Sequence, residues 1–218
     1  MISKKAKLIF LMPPKTASQS LTETLLDSSI NFEVFDESYT YPKIHLFLSE
    51  IADLFQVDNL KDYKVIQVVR NPLERFISSY YHQLKIMPKN NQTIIKDMDI
   101  NTFAKHFYKS ITNSNGDFLE MFYGKYNFIK KAVSNGKSWG GSRTYLSQTQ
   151  WNDMGVEVKY FKLEDISEDI KPLSDYIGVY LPSMDKKNTS NSIKDELETN
   201  MIKMVNYVYQ DDFKLFNY

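Results

Sequence analysis

The sequence predicts an α/β fold in which a central, mainly parallel sheet is flanked by helices. Three observations predict it. The apolar run Leu8-Ile9-Phe10-Leu11-Met12 reads as a buried strand and passes through a polar turn into an amphipathic segment at residues 21–26. A second strand-like run, Tyr63-Lys64-Val65-Ile66-Gln67-Val68-Val69, leads directly into helix-starting residues. A third strand is read at residues 156–161.

The turn after the first strand is Pro13-Pro14-Lys15-Thr16-Ala17-Ser18-Gln19-Ser20. Strand, turn and helix in that order build an anion site, because the first amides of a helix have no internal partner and sit at the positive end of its dipole. Lys15 adds a full charge, Thr16, Ser18 and Ser20 add hydroxyl donors, and Ala17 is small enough to let an anion approach the backbone. The turn reads as a phosphate loop without the usual glycines. It lacks the Gly-x-x-x-x-Gly-Lys-Ser/Thr spacing of a nucleoside triphosphatase, which counts against ordinary ATP or GTP hydrolysis. Taken alone, it reads equally well as a plain turn.

A short strand is expected near residues 31–35, then a polar, aromatic link over 36–42 and a helix over 46–55. The second long strand ends in Arg70-Asn71-Pro72-Leu73-Glu74-Arg75-Phe76-Ile77-Ser78-Ser79-Tyr80. Asn71 is a good N-cap, Pro72 suits the first helical position, and Glu74 falls where a capping carboxylate belongs. Arg70 then lies at the carboxyl end of the strand, the edge at which ligands bind in open α/β sheets. It offers a planar fork for a phosphate, and Ser78, two turns into the helix, adds a hydroxyl. The plain alternative has Arg70 and Arg75 pairing with Glu74 and other surface acids; two such motifs in one chain, in this order, favour the anion site.

This helix ends near Met87-Pro88, and residues 89–99 turn polar and read as an exposed loop. Residues 101–147 are rich in Phe, Tyr and Lys, with helical pieces. Within them, residues 134–143 read as a flexible, basic, aromatic stretch, equally suited to closing over a ligand or to ordinary surface. A final helix is expected from Ser192, capped with the help of Asp195, burying Ile193, Leu197, Met201, Val205 and Val208. No repeat and no second domain is seen, so one domain is expected over residues 1–218, long enough to bury a sizeable core.

Composition limits the partners. Lys plus Arg and Asp plus Glu both number 27, so no net field favours nucleic acid or an anionic membrane. There is no cysteine, which excludes disulfides, thiolate chemistry and Cys-based metal sites and fits a reducing compartment. No apolar run approaches the ~20 residues of a transmembrane helix, and Met1-Ile2-Ser3-Lys4-Lys5 passes into a strand rather than a signal peptide. A cytoplasmic protein with no transmembrane segment is expected.

Together the two motifs resemble those of a known family. Pro14-Lys15-Thr16-Ala17-Ser18-Gln19-Ser20-Leu21 resembles the 5′-phosphosulfate loop of sulfotransferases that use 3′-phosphoadenosine 5′-phosphosulfate (PAPS). The run from Arg70 to Tyr80 resembles their 3′-phosphate motif, R-N-P-x-x-R-x-x-S-x-Y. The likeness is to the carbohydrate-type, Golgi-related and bacterial branch. Phe161-Lys162-Leu163-Glu164-Asp165-Ile166 is similar to the family's late strand and acidic turn, and Asp211-Asp212-Phe213-Lys214-Leu215-Phe216-Asn217-Tyr218 to its D-F-x-x-F-x-Y ending. The likeness therefore spans nearly the whole chain. Ala17-Ser18 departs from the Gly-Thr or Gly-Gly that family members often carry there.

The resemblance implies a three-layer P-loop-like fold and transfer of a sulfuryl group from PAPS to a hydroxyl, less often an amine, of a carbohydrate or glycan-like acceptor, with no metal required. It implies that Lys15 contacts the bridging oxygen, that Thr16, Ala17, Ser18, Gln19 and Ser20 hold the 5′-phosphate, and that Arg70 and Ser78 grip the 3′-phosphate. The base for the acceptor's proton is open: His45 lies between the motifs, where carbohydrate enzymes commonly place a histidine or glutamate; His82 follows Ser78 by one turn; Glu37 and Glu50 come next. Phe107, Tyr108 and Tyr145 suit sugar stacking or the core equally. Two other readings compete. A small-molecule kinase of the related fold is disfavoured by the missing glycine-rich loop and by the lack of a clear magnesium-binding aspartate after a strand. A catalytically silent nucleotide-binding protein is disfavoured by the intact Lys15, Arg70 and Ser78.

Overall fold

The computed structural model describes residues 1–33, 45–86, 99–113, 143–184 and 197–218. Among these, β1 (Ile2–Ser3), β2 (Leu8–Leu11), α1 (Ser18–Leu26), α2 (Leu48–Leu54), β3 (Lys64–Val69) and α3 (Pro72–Ile86) are followed by α4 (Ile100–Asn113), β4 (Val158–Lys162), α5 (Leu163–Glu168), α6 (Lys171–Ile177), α7 (Thr199–Val208) and α8 (Gln210–Phe216). The strands form one sheet in the order β1-β2-β3-β4. β1 runs antiparallel to β2, and the β2–β3 and β3–β4 pairs are parallel. Leu11 is paired with Gln67 and Val69 with Lys162, so the carboxyl ends of the three longer strands finish at a common edge.

The parallel strands are the three runs expected from the sequence. The side chains of β2 and β3 alternate between two buried faces, as a sheet covered on both sides requires, while in β4 Phe161 alone is buried. On one face Leu8, Phe10, Ile66, Val68 and Phe161 pack against Leu21 and Leu25 of α1, Ile166 of α5 and Leu173 of α6. On the other, Ile9, Leu11 and Val65 meet Leu48 and Ile51 of α2 and Trp151. The sheet is thus the middle of three layers, the α/β arrangement expected. Leu8, Ile9, Phe10 and Leu11 are all at most 2% exposed, and burying each contributes roughly 2 kcal/mol. A separate aromatic core joins Phe76 of α3, Phe103 and Phe107 of α4, Tyr145 and Val205 of α7.

Several elements differ from expectation. β1 carries no sequence signal: it is too short for any periodicity, and it returns into β2 with Lys7 left-handed, φ 53°. The strand expected at 31–35 is described only to Glu33, which makes a single bridge to Ile2. Its last two residues, the 36–42 link, the 89–98 loop and nearly all of the 134–143 stretch lie outside the described residues. α1 begins at Ser18, a turn earlier than expected, so Ser18, Gln19 and Ser20 form its first turn. The last long helix begins at Thr199 rather than Ser192, because Glu198 is extended at φ −63°, ψ 148°. Leu197 and Val205 are buried as expected, Met201 and Val208 are half-buried, and Ser192, Ile193 and Asp195 lie outside the described residues. Phe107 and Tyr145 belong to the core, 0% and 4% exposed, and are closed to sugar stacking; Tyr108 is half-buried, edge-on to Tyr207. No helix among the described residues is long and apolar enough to cross a membrane.

Candidate functional site

The carboxyl edge of β2 opens into a tightly wound loop. Lys15 and Ala17 are both left-handed, at φ 69° and φ 55°, while Thr16 between them is not. Left-handed residues within a tight turn can bring neighbouring amides toward one point, the arrangement that an anion-binding concavity uses. Outside glycine that conformation costs roughly 1–2 kcal/mol per residue, so two such residues in three mark stored strain of the kind found at ligand clamps. Ala17 is also the N-cap of α1 and offers no side-chain acceptor. The first-turn amides of Ser18, Gln19 and Ser20 therefore face the loop's concavity without a cap, at the positive end of the helix.

Thr16 departs from expectation. Its hydroxyl donates to the Pro13 carbonyl at 2.7 Å, so that proton closes the loop and Thr16 offers its backbone amide instead. Ser18 and Ser20 are buried, at 8% and 5% exposed, whereas Gln19 points outward.

The edge of β3 supplies the second half. Arg70 follows Val69, past the last paired residue of the strand, and its Nη1 donates to the Lys15 carbonyl at 3.4 Å. Its Nη2 lies 3.8 Å from Glu74, with the Arg70 side chain 21% exposed. The plain pairing of Arg70 with Glu74 is thus present, and it coexists with the contact to the loop. Burial pushes the guanidinium below its ordinary value, while Glu74 and Glu164 pull it back; an arginine so placed stays charged.

Asn71 caps α3 as expected, its Oδ1 accepting from the amides of Leu73 and Glu74 at 3.0 and 3.2 Å. The reciprocal bond comes from elsewhere. The Asn71 amide donates to Oε1 of Glu164, 2.9 Å away on α5, and Glu74 is left to face Arg70. The other Glu164 oxygen accepts from the Tyr218 hydroxyl at 2.6 Å; burial and that bond hold the phenol well above its ordinary value. The acidic turn and the Tyr-terminated ending identified in the sequence therefore meet beside Arg70.

Arg75 takes no part in surface pairing. It is fully buried, its Nη1 donates to the Thr144 carbonyl at 2.9 Å, its Nη2 donates to the Leu146 carbonyl, and its guanidinium lies 5.3 Å from the Tyr209 ring. Ser79 donates to the Arg75 carbonyl, whereas Ser78 is a separate, 8% exposed hydroxyl two turns into α3.

Among the candidate bases, His45 is brought to the loop. Its Nδ1 lies 2.7 Å from the Met12 carbonyl, one residue before Pro13. A carbonyl can only accept, so Nδ1 carries the proton and a neutral ring holds its lone pair on Nε2. Glu50 serves its own helix, accepting from the Phe47 amide at 2.9 Å. His82 is half-buried on α3, and Glu37 lies outside the described residues.

Sequence reasoning does not single out Gln148 or Asp212. The Gln148 side chain accepts from the Arg70 amide and donates to the Arg70 carbonyl, both at 2.9 Å. Asp212, 0% exposed, accepts from the amides of Gln148 and Thr149 at 2.9 and 3.1 Å and from the Ser147 hydroxyl. Asp212 lies in the recognised ending, but Gln148 carries no local signal.

A model of the sulfotransferase family matches residues 1–218. No curated protein matches the chain. Among solved structures, the chain is similar to the crystal structure of a sulfotransferase from Alicyclobacillus acidocaldarius, at 13% identity, with 97% of this chain and 98% of that one covered and a TM-score of 0.42.

Proposed function

The chain belongs to the sulfotransferase family, and we propose that it transfers a sulfuryl group from PAPS to a hydroxyl of a carbohydrate or glycan-like acceptor by in-line displacement, as one domain over residues 1–218. The observation that carries this reading is the meeting of Arg70 with the Lys15 carbonyl, which sets two cationic side chains at adjacent strand ends beside an uncapped helix. The donor's chemistry is an activated sulfuryl group on a 5′-phosphate, with a 3′-phosphate that tells it from ATP. Such a molecule suits the residues present: a strained concavity of amides for one phosphate and a charged planar fork for a second.

In this reading Lys15 meets the charge that develops on the leaving phosphate oxygen. The amides of Thr16, Ala17, Ser18, Gln19 and Ser20, with the hydroxyls of Ser18 and Ser20, hold the 5′-phosphate. Arg70 and Ser78 hold the 3′-phosphate. His45 takes the acceptor proton at Nε2, since its other nitrogen is held by Met12. An acceptor fixed in line converts the transfer into an effectively unimolecular step.

The test is calorimetric titration with 3′-phosphoadenosine 5′-phosphate and, in parallel, with ATP plus magnesium. Tight binding of the former without metal is expected. Preference for ATP would overturn the donor assignment and point to phosphoryl transfer.

A further inference from the structure

Arg70 lies past the last pair of the sheet ladder, where β2 has stopped opposite Gln67 and β4 opposite Val69. A residue in that position has no neighbouring strand to fix its peptide groups, yet its guanidinium must leave the backbone in one direction to be useful. Gln148 supplies the missing partner. Its side-chain amide closes a two-bond ring on the Arg70 backbone, accepting from N and donating to O at 2.9 Å each, the pattern one strand residue would present to another.

Gln148 is itself held by two further residues. Its carbonyl accepts from Gln67 Nε2 at 2.7 Å, its amide donates to Asp212 at 2.9 Å, and its Nε2 lies 3.4 Å from Asp212 Oδ2. It is 0% exposed, as are Gln67 and Asp212. Just upstream, Arg75 holds the carbonyls of Thr144 and Leu146. The segment bearing Gln148 is thus tied both to α3 and to α8, and it passes that rigidity to the two peptide groups that flank Arg70.

We propose that Gln148 is a positioning residue for donor recognition, setting the backbone of Arg70 so that its guanidinium faces the Lys15 loop. This rests on the donor reading above. The residue type follows from the bonds: only an amide can donate and accept at once at that reach, and a carboxylate would set an acceptor against the Arg70 carbonyl and a charge beside Asp212.

The experiment compares binding of 3′-phosphoadenosine 5′-phosphate and of adenosine 5′-phosphate, which lacks the 3′ group, by calorimetry. Wild type, Gln148→Met, Arg70→Ala and the double variant are measured, with thermal unfolding of each. Gln148→Met is expected to weaken the bisphosphate about tenfold, the size of one or two lost neutral hydrogen bonds, and to leave the monophosphate within about twofold. In the Arg70→Ala background it should have no further effect on either ligand. Equal weakening of both ligands, or additive losses in the double variant, would mean a purely structural role and overturn the inference. If Gln148→Met does not fold, Gln148→Asn, which keeps a neutral amide but falls one methylene short of the Arg70 backbone, is read in the same way. A wild-type protein with no preference for the bisphosphate, or a preference that survives Arg70→Ala, would sink the donor reading itself; a preference lost in Arg70→Ala but intact in Gln148→Met would sink this inference alone.

Discussion

The guanidinium of Arg70 reaches the backbone carbonyl of Lys15, Nη1 to O at 3.4 Å, although 55 residues separate them. The contact joins the ends of β2 and β3, and the other terminal nitrogen of the fork lies 3.8 Å from Glu74. Two motifs that are independent in sequence are brought to one place through it.

Arg70→Ala should weaken 3′-phosphoadenosine 5′-phosphate about a hundredfold, the loss expected for charge-assisted bonds to a phosphate, with little change for adenosine 5′-phosphate. Calorimetry on both ligands decides. Equal losses would refute the contact with the 3′ group.

Lys15→Ala should lower kcat by about 10²–10³, as for other groups that meet charge developing in a transition state, while the unfolding temperature stays near that of the wild type. Single-turnover rates with PAPS and a competent acceptor provide the measurement. A near-normal rate would remove Lys15 from the chemistry.

His45→Ala should depress the chemical step by about 10²–10⁴ with little change in donor affinity, because its bond to Met12 aims Nε2 rather than holding the loop. A variant that turns over like wild type would place the base elsewhere, with His82 next to be tested.

Ala17→Gly should leave both stability and donor affinity close to wild type, since glycine accepts φ 55° freely but adds entropy to the unfolded chain. Ala17→Val should cost about 2 kcal/mol in urea unfolding, because a β-branched residue resists that conformation. Matching stabilities for the two variants would show that the loop relaxes out of the left-handed region.

Arg75→Ala should destabilise the protein by about 3 kcal/mol, since it strands two carbonyls and empties a fully buried site. Arg75→Lys should recover less than half of that, because an ammonium cannot serve Thr144 and Leu146 as a fork does. Full recovery by lysine would mean that charge alone matters there.

Elements governed by neighbours in the chain are legible in the sequence by itself. The strands β2 and β3 announce themselves by short, largely apolar runs, and the Asn71-Pro72 start of α3 by a cap and a ring that act within one turn. The strand, turn and helix on which the proposed anion site rests are legible too, because they follow one another in immediate succession. What acts across the fold is not. That Glu164 rather than Glu74 completes the α3 cap, that Arg75 faces inward to Thr144 and Leu146, and that Phe107 and Tyr145 are core all depend on which segments the sheet brings together. The amphipathic spacing of the last helix suggests a start at Ser192, but the extended backbone at Glu198 places it at Thr199. Gln148 is the extreme case: 78 residues from Arg70, in a stretch with no pattern of its own, it meets that strand end only because a buried carboxylate on α8 fixes it there. Periodicity and capping are short-range physics written in consecutive residues, whereas the choice of a hydrogen-bond partner is made by the packed tertiary structure, which decides the acceptors that a buried donor can reach.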